Sequence, residues 1–212
     1  SKTLNKTREE ILTNIEQKID KKKFLLFKKY LQRRSKNEPI AYILGEKEFW
    51  SSAFYVNNNT LIPRPETELL VDKLLEIYKN KNISILDIGT GSGCIIVSLL
   101  INLKSSIGFG VDISKDAISI ATKNSIKHEL ANRIKFSTLS FEKIFNKKFD
   151  LIVSNPPYIE RKDIKNLSDD IKKYEPRIAL DGGNDGLDVI KKVIYKSKSI
   201  LKRKGILALE IG

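Results

Sequence analysis

The chain has 212 residues, 41% of them apolar, with a formal net charge of +13 and one cysteine. That apolar share supports a real core, for one large α/β domain or an ordinary domain with a small appendage, while the single Cys94 excludes an internal disulfide and agrees with a reducing cytoplasmic setting. No window approaches the ~18 to 20 uninterrupted apolar residues of a membrane span, the lysine-rich amino terminus has no secretory apolar region, one His128 without a Cys/His cluster argues against a metal site, and basic residues spread through the chain do not by themselves require a permanent nucleic-acid partner.

Thr7-Arg8-Glu9-Glu10 has capping-box spacing, and Ile11, Leu12, Ile15 and Ile19 recur after it at helical spacing, which predicts a first helix. A second is predicted from Phe24 to about Arg34, with Phe24, Phe27, Tyr30 and Leu31 on one face. Residues 1–37 therefore read as a small, partial helical module. Glu38-Pro39-Ile40-Ala41-Tyr42-Ile43-Leu44-Gly45 reads as a short helix ended by glycine. Glu48-Phe49-Trp50 and Ala53-Phe54-Tyr55-Val56, on either side of Ser51-Ser52, read as a β-hairpin, followed by a turn at Asn57-Asn58-Asn59. Residues 38–65 are thus expected to form a hairpin linker to a domain spanning 66–212. In Ile62-Pro63-Arg64-Pro65-Glu66-Thr67-Glu68 the prolines fix the start of a helix carrying Leu69, Leu70, Leu74 and Leu75, and the carboxylates favour its first turn. Two roles stay open for Arg64 to Glu68: helix-start chemistry, or one wall of an active cleft.

Ile83 to Ile88 is expected to be a strand running into Asp87-Ile88-Gly89-Thr90-Gly91-Ser92-Gly93 and then an apolar helix, Ile95 to Leu103. Glycines here permit a tight turn and a close ligand approach, as in a nucleotide cradle. The next strand, Ile107 to Val111, ends in Asp112, near the ~20-residue offset of a ribose-binding acid. Asp87 bears on which nucleotide is held. A carboxylate two residues before the first glycine repels a pyrophosphate, but it suits the ammonium and sulfonium end of S-adenosylmethionine, directly or through water. The acid therefore favours a methyl donor over a dinucleotide. Cys94 has no base beside it and is expected only to pack.

Ser114 is placed to cap a helix from Lys115 that turns Ala117, Ile118 and Ala121 inward. A third strand, Arg133 to about Thr138, delivers Ser140-Phe141 at its carboxyl end, where the phenyl ring can cover an adenine. A fourth, Phe149 to Ser154, ends in Asn155-Pro156-Pro157-Tyr158. The prolines stop the ladder and leave the Asn155 side-chain oxygen and the Pro156 carbonyl as two acceptors. Side by side, these suit a substrate NH2 group; a strand-ending loop with a capping Asn is the structural alternative. Strands alternating with helices imply parallel βαβ units, with the polar signals all at strand carboxyl ends.

Asp87 to Gly93, Asp112 and Asn155-Pro156-Pro157-Tyr158 resemble the seven-stranded, Rossmann-like S-adenosylmethionine-dependent methyltransferases that modify planar amide or amine nitrogens. Glu38 to Tyr42, Gly45, Glu48-Phe49-Trp50, Ile62 to Glu68, Tyr174-Glu175-Pro176-Arg177, Ala179-Leu180 and Gly182 to Leu187 narrow the resemblance. Over roughly Glu38 to Gly212 the chain is similar to the glutamine methyltransferases of bacterial peptide chain release factors.

The resemblance implies an α/β methyltransferase sheet with the helical module and hairpin before it. It implies S-adenosylmethionine as cofactor, held by Asp87, Gly89, Thr90, Gly91, Ser92, Gly93, Asp112, Ser140, Phe141 and Asn155. The acceptor it implies is the Gln side-chain amide of a Gly-Gly-Gln tripeptide, gripped by Asn155 and the Pro156 carbonyl with Tyr158 beside it. Pro157, Arg64 and Glu66 are carried over to the substrate side, and Glu175 to Leu187 to a loop over the peptide. No metal and no covalent enzyme intermediate are expected; a cytoplasmic monomer acting on release factors, without a membrane or permanent nucleic-acid partner, is. The same tetrapeptide could serve a Gln on a ribosomal protein, and related ones serve nucleic-acid adenine, although the chain shows neither room nor a basic aromatic patch for a target-recognition region.

Two departures accompany the resemblance. Thr138-Leu139-Ser140-Phe141 lacks the acid that usually follows the third strand, so adenine recognition is expected to weaken or shift to the backbone. The chain also stops at Leu207-Ala208-Leu209-Glu210-Ile211-Gly212, within the fifth strand, and Ser1 with no Met anywhere suggests a processed or partial chain. An exposed sheet edge, with reduced solubility or activity, is the expectation.

Overall fold

The computed structural model describes all residues, Ser1–Gly212. In chain order the elements are α1 (Arg8–Thr13), α2 (Lys21–Arg34), α3 (Ile40–Leu44), β1 (Glu46–Phe49), β2 (Ser52–Tyr55), α4 (Pro65–Ile77), β3 (Ser84–Ile88) and α5 (Cys94–Asn102). They continue with β4 (Ile107–Asp112), α6 (Lys115–Lys127), β5 (Ile134–Thr138), β6 (Phe149–Ser154), α7 (Asp169–Tyr174), α8 (Asp188–Ile200) and β7 (Leu201–Leu209). Strands β3 to β7 form a parallel sheet in the order β5-β4-β3-β6-β7, and β1 pairs with β2 as an antiparallel hairpin.

Parallel strands need crossover connections that cover both faces of the sheet, so both faces must be apolar. The pleat divides the residues accordingly. Ile85 of β3 joins Leu151 and Val153 of β6 in one core with α4, α5 and the hairpin, while Leu86 and Ile88 join Ile152 in a second core with Val193 and Ile200 of the α8 side. α5 is apolar all round and buried continuously from Cys94 to Leu100, as a helix must be when the sheet and neighbouring helices surround it. α8 instead buries only a stripe, Ile190, Val193, Ser197 and Ile200.

Several local expectations change in three dimensions. The capping box forms, with Glu10 N–H donating to Thr7 Oγ1 at 3.2 Å and Thr7 N–H to the Glu10 carboxylate at 2.7 Å. The helix nevertheless ends at Thr13, so Ile15 and Ile19 lie beyond it and are exposed. Trp50 sits in the hairpin turn rather than in a strand. Its φ of 46° and that of Ser51, 56°, are both left-handed, which matches the twist of a two-residue hairpin, and its N–H donates to Glu68 at 3.0 Å. In α4 the inward face is Thr67, Val71 and Leu74, continued by Tyr78, whereas Leu69 is exposed; four leucines within seven residues exceed one face of a 3.6-residue period. The 38–65 stretch, expected to be a linker, inserts Phe49 and Phe54 into the larger core.

The chain leaves β3 for β4 and β5 on one side and returns to β6 on the other. Ile88, at the carboxyl end of β3, is flanked by Val111 and Ser154. That reversal of strand order creates the crevice in which open α/β sheets bind ligands.

Candidate active site

Three loops converge on this crevice. In the first, Gly89, Gly91 and Gly93 have φ values of 68°, 55° and 79°, conformations that side-chain-bearing residues adopt only with strain. Their amides are largely used within the fold. Gly89 and Thr90 N–H donate to the Val111 carbonyl at 2.9 and 3.0 Å, Gly93 N–H to the Thr90 carbonyl at 2.8 Å, and Gly91 N–H to the Asp112 carboxylate at 3.0 Å. A loop with its amides so engaged is a poor anion nest, which is a physical reason to exclude a pyrophosphate.

Asp87 lies beneath this loop, 1% exposed, and does not reach the cavity wall. One of its oxygens accepts from Thr90 Oγ1 at 2.7 Å; the other has no partner. Burial pushes its pKa up to about 7, with the Thr90 bond opposing and the charge of Asp112 adding to the rise. A buried carboxylate with an unpartnered oxygen lacks a donor or a cation. Asp112 is held by N–H groups of Gly91 and, at 2.9 Å, Ser114, and this fixes its carboxylate at the end of β4.

The strand ends of β3 and β6 are tied together by Ser154 Oγ, which donates to the Ile88 carbonyl at 2.7 Å. Asn155 consequently stands beside the glycine loop, and its Nδ2 donates to Thr67 Oγ1 at 3.3 Å. Two cavities meet there. The larger, about 280 Å³, is lined by Gly89, Thr90, Gly91, Ser92 and Asp112, by Ser140 and Phe141, and by Asn155, Pro156, Pro157 and Arg64. The smaller, about 160 Å³, is lined by Tyr158 with Arg64, Asn155 and Pro156. Gly93 faces α6 rather than the cavity, where an added Cβ would lie 3.2 Å from that of Ala121. Glu66 lines neither cavity and is exposed on the first turn of α4. The structure therefore gathers most of the expected residues in one crevice, and sets Asp87, Gly93 and Glu66 outside its walls.

The loop from Glu175 to Leu187 is pinned to both sides of this crevice. Glu175 is buried, pairs with Arg64 at 2.7 Å and accepts from Ile62 N–H at 3.3 Å. Burial raises its pKa, and the Arg64 guanidinium opposes that rise. Further along, Ile159 N–H donates to the Leu180 carbonyl at 3.1 Å and Gly182 N–H to the Ile159 carbonyl at 2.9 Å. Gly186 has a φ of 74°, and an added Cβ would stand 2.4 Å from the Tyr158 carbonyl. The loop thus packs along residues 158–161.

Sequence reasoning covered Thr67 only as part of the stretch Arg64 to Glu68 offered as a cleft wall, where Arg64 and Thr67 do line the larger cavity, and it did not name Asn124. Asn124, fully buried in α6, takes Tyr55 N–H at 2.7 Å and donates to the carbonyls of Tyr55 and Ser92 at 3.0 and 2.8 Å, joining the hairpin to the glycine loop. No local pattern marks a helical Asn for such a task. At the rim, Glu142 places a carboxylate among the lining residues, where the expected strand-end acid is missing. No group of three or more His, Cys, Asp and Glu side chains is disposed to hold a metal ion.

Residues 79–210 match the family described as Methyltransferase domain, and residues 1–45 the PrmC N-terminal domain. A release factor glutamine methyltransferase of Buchnera aphidicola subsp. Schizaphis graminum is 43% identical, the match covering 100% of this chain and 76% of that one. Its counterpart from Caulobacter vibrioides is 37% identical over 97% of this chain and 72% of its own length. A bifunctional methyltransferase of Rickettsia bellii is 40% identical over 99% of this chain, which spans only 43% of that protein. Among solved structures, the hMettl16 catalytic domain superposes with a TM-score of 0.56 at 18% identity, covering 68% of this chain and 56% of the other, and so shares the fold. The match to relatives along their greater length, with the glycine loop and the Asn155 tetrapeptide on adjacent strand ends, is decisive: the chain belongs to the release factor glutamine methyltransferase family.

Proposed function

We propose that this protein methylates the side-chain amide nitrogen of the Gln in the Gly-Gly-Gln tripeptide of a peptide chain release factor, using S-adenosylmethionine. The observation that carries the reading is the meeting of two cavities at Asn155 and Pro156. The larger cavity fits the cofactor by its donor set. The engaged loop amides disfavour a phosphate, the orphaned Asp87 oxygen lies close beneath a site for a cationic end, and Asp112 presents a carboxylate to ribose hydroxyls. Phe141 offers a face for adenine at the far end. When bound there, S-adenosylmethionine supplies an electrophilic methyl group.

The residues of the chain supply position and polarity. Asn155 Oδ1 and the Pro156 carbonyl accept the two hydrogens of the acceptor NH2, which turns the nitrogen toward the larger cavity. An amide nitrogen is a weak nucleophile because its lone pair is delocalised, so orientation and acceptors facing the positive charge that develops on nitrogen are the available means of catalysis. The nitrogen sheds its proton afterwards, and no strong base is needed in the site. Tyr158 and Arg64 wall the smaller cavity, where the peptide around the Gln is received.

Transfer of labelled methyl from S-adenosylmethionine to purified release factor tests the reading. Label is expected with the intact Gln, none with a Gln-substituted release factor, and about 10²-fold less with Asn155→Ala. Label that survives the Gln substitution would refute it.

A further inference from the structure

Resting on the glutamine-methylation reading, we infer that Thr67 is a positioning residue that holds the Asn155 amide with its oxygen toward the acceptor nitrogen. Oxygen and NH2 of an Asn side chain have nearly the same shape, but only the oxygen accepts a hydrogen from an amide NH2. The terminal torsion of Asn is broad and roughly two-fold, so the rigid Pro156-Pro157 backbone does not choose between the two orientations.

The bond from Asn155 Nδ2 to Thr67 Oγ1, at 3.3 Å, is the only hydrogen bond the Asn155 side chain makes. Thr67 is 2% exposed and lines the same cavity as Asn155. Once a substrate NH2 occupies Oδ1, one arrangement alone satisfies all three groups: Nδ2 donates to Thr67, and Oδ1 accepts from the substrate. In the reverse arrangement two NH2 groups would face each other, and without Thr67 the half-buried Asn155 amide would lose the one protein acceptor that fixes its Nδ2. Thr67 is itself held firmly. It lies in the first turn of α4, anchored by the bond between Glu68 and Trp50 N–H and by the pairing of the preceding Arg64 with Glu175.

The test compares Thr67→Val, which keeps the shape and loses the acceptor, with Thr67→Ser, which keeps the acceptor. In Thr67→Val, kcat for methyl transfer is expected to fall roughly 10- to 100-fold, as small misplacements of reacting groups do. The release-factor KM and the affinity for S-adenosylmethionine should hold within about twofold, and Thr67→Ser should restore kcat. Full kcat in Thr67→Val, or an equal loss in Thr67→Ser, would overturn the inference. A second readout does not need turnover. The Asn155 side-chain NH2 signals in a 15N-correlated NMR spectrum, identified by their loss in Asn155→Ala, should shift and exchange faster with water in Thr67→Val and return in Thr67→Ser. If the wild-type protein does not methylate release factor, the functional reading fails; unshifted Asn155 signals in Thr67→Val refute the positioning role whatever the activity.

Discussion

Asp87 concentrates the electrostatic problem of this fold in one side chain. Its unfolded carboxyl ionises near 3.8, whereas burial raises the folded pKa to about 7. With the folded pKa raised, the stability this group contributes is present below the unfolded value and is lost as pH rises through the folded value, because folding must then bury an uncompensated charge. Wild-type stability relative to Asp87→Asn should therefore decline between about pH 4 and pH 7 and level off above it; denaturant midpoints across that range check this. A parallel pH dependence in both proteins would refute the assignment. A bound cation favours the ionised form, so S-adenosylmethionine affinity should rise with pH over the same interval in wild type and stay flat in Asp87→Asn. Sequence spacing singled out this acid for the cationic end of a methyl donor, directly or through water. That it lies beneath the loop and off the cavity wall depends on the packing of α5 over β3.

Between elements, the loop after α7 meets the start of α4 through a pair of unequal partners. Glu175 is buried, but Arg64 keeps 29% of its side chain exposed. Arg64→Met would strand a buried carboxylate and is expected to cost about 3 kcal/mol at neutral pH. Glu175→Gln leaves a guanidinium that can turn to water and keeps a neutral acceptor for Ile62 N–H, so it should cost about 1 kcal/mol. Urea unfolding of the two variants checks the order. The Arg64→Met penalty should also shrink at pH 5, because protonation relieves the stranded charge; equal costs at both pH values would refute the argument. The sequence showed both Arg64 and Glu175 within quotable motifs, but no periodicity could show that residues more than a hundred positions apart are partners.

Across the molecule, the division of stability follows burial. No residue of α1 or α2 is buried, although the hairpin beyond them sends Phe49 and Phe54 into the main core. Deleting residues 1–20 should leave the thermal midpoint nearly unchanged, while Phe54→Ala removes a fully buried ring at about 3–5 kcal/mol. For a chain of this size that is a fall on the order of 10 °C. Scanning calorimetry of the two proteins checks the contrast, and a large loss on deletion would show that the helical module is part of the cooperative unit.

The parallel sheet, its strands and their carboxyl-end signals were legible in the sequence because they rest on local physics: apolar runs, glycines for left-handed turns, prolines that stop a ladder. The same signals named the glycine loop, Asp112 and the Asn155 tetrapeptide. Local physics also misplaced Ile15, Ile19, Trp50 and Leu69, where periodicity overran a helix end, a turn or a face. What only the tertiary structure decided is which side chains meet across distance. Thr67 with Asn155, Glu175 with Arg64, and Asn124 with both the hairpin and the glycine loop are hydrogen-bond partners brought together by the sheet order and the helix packing. A sequence specifies such pairs only through the whole fold, because each bond depends on the relative placement of elements that no local pattern encodes.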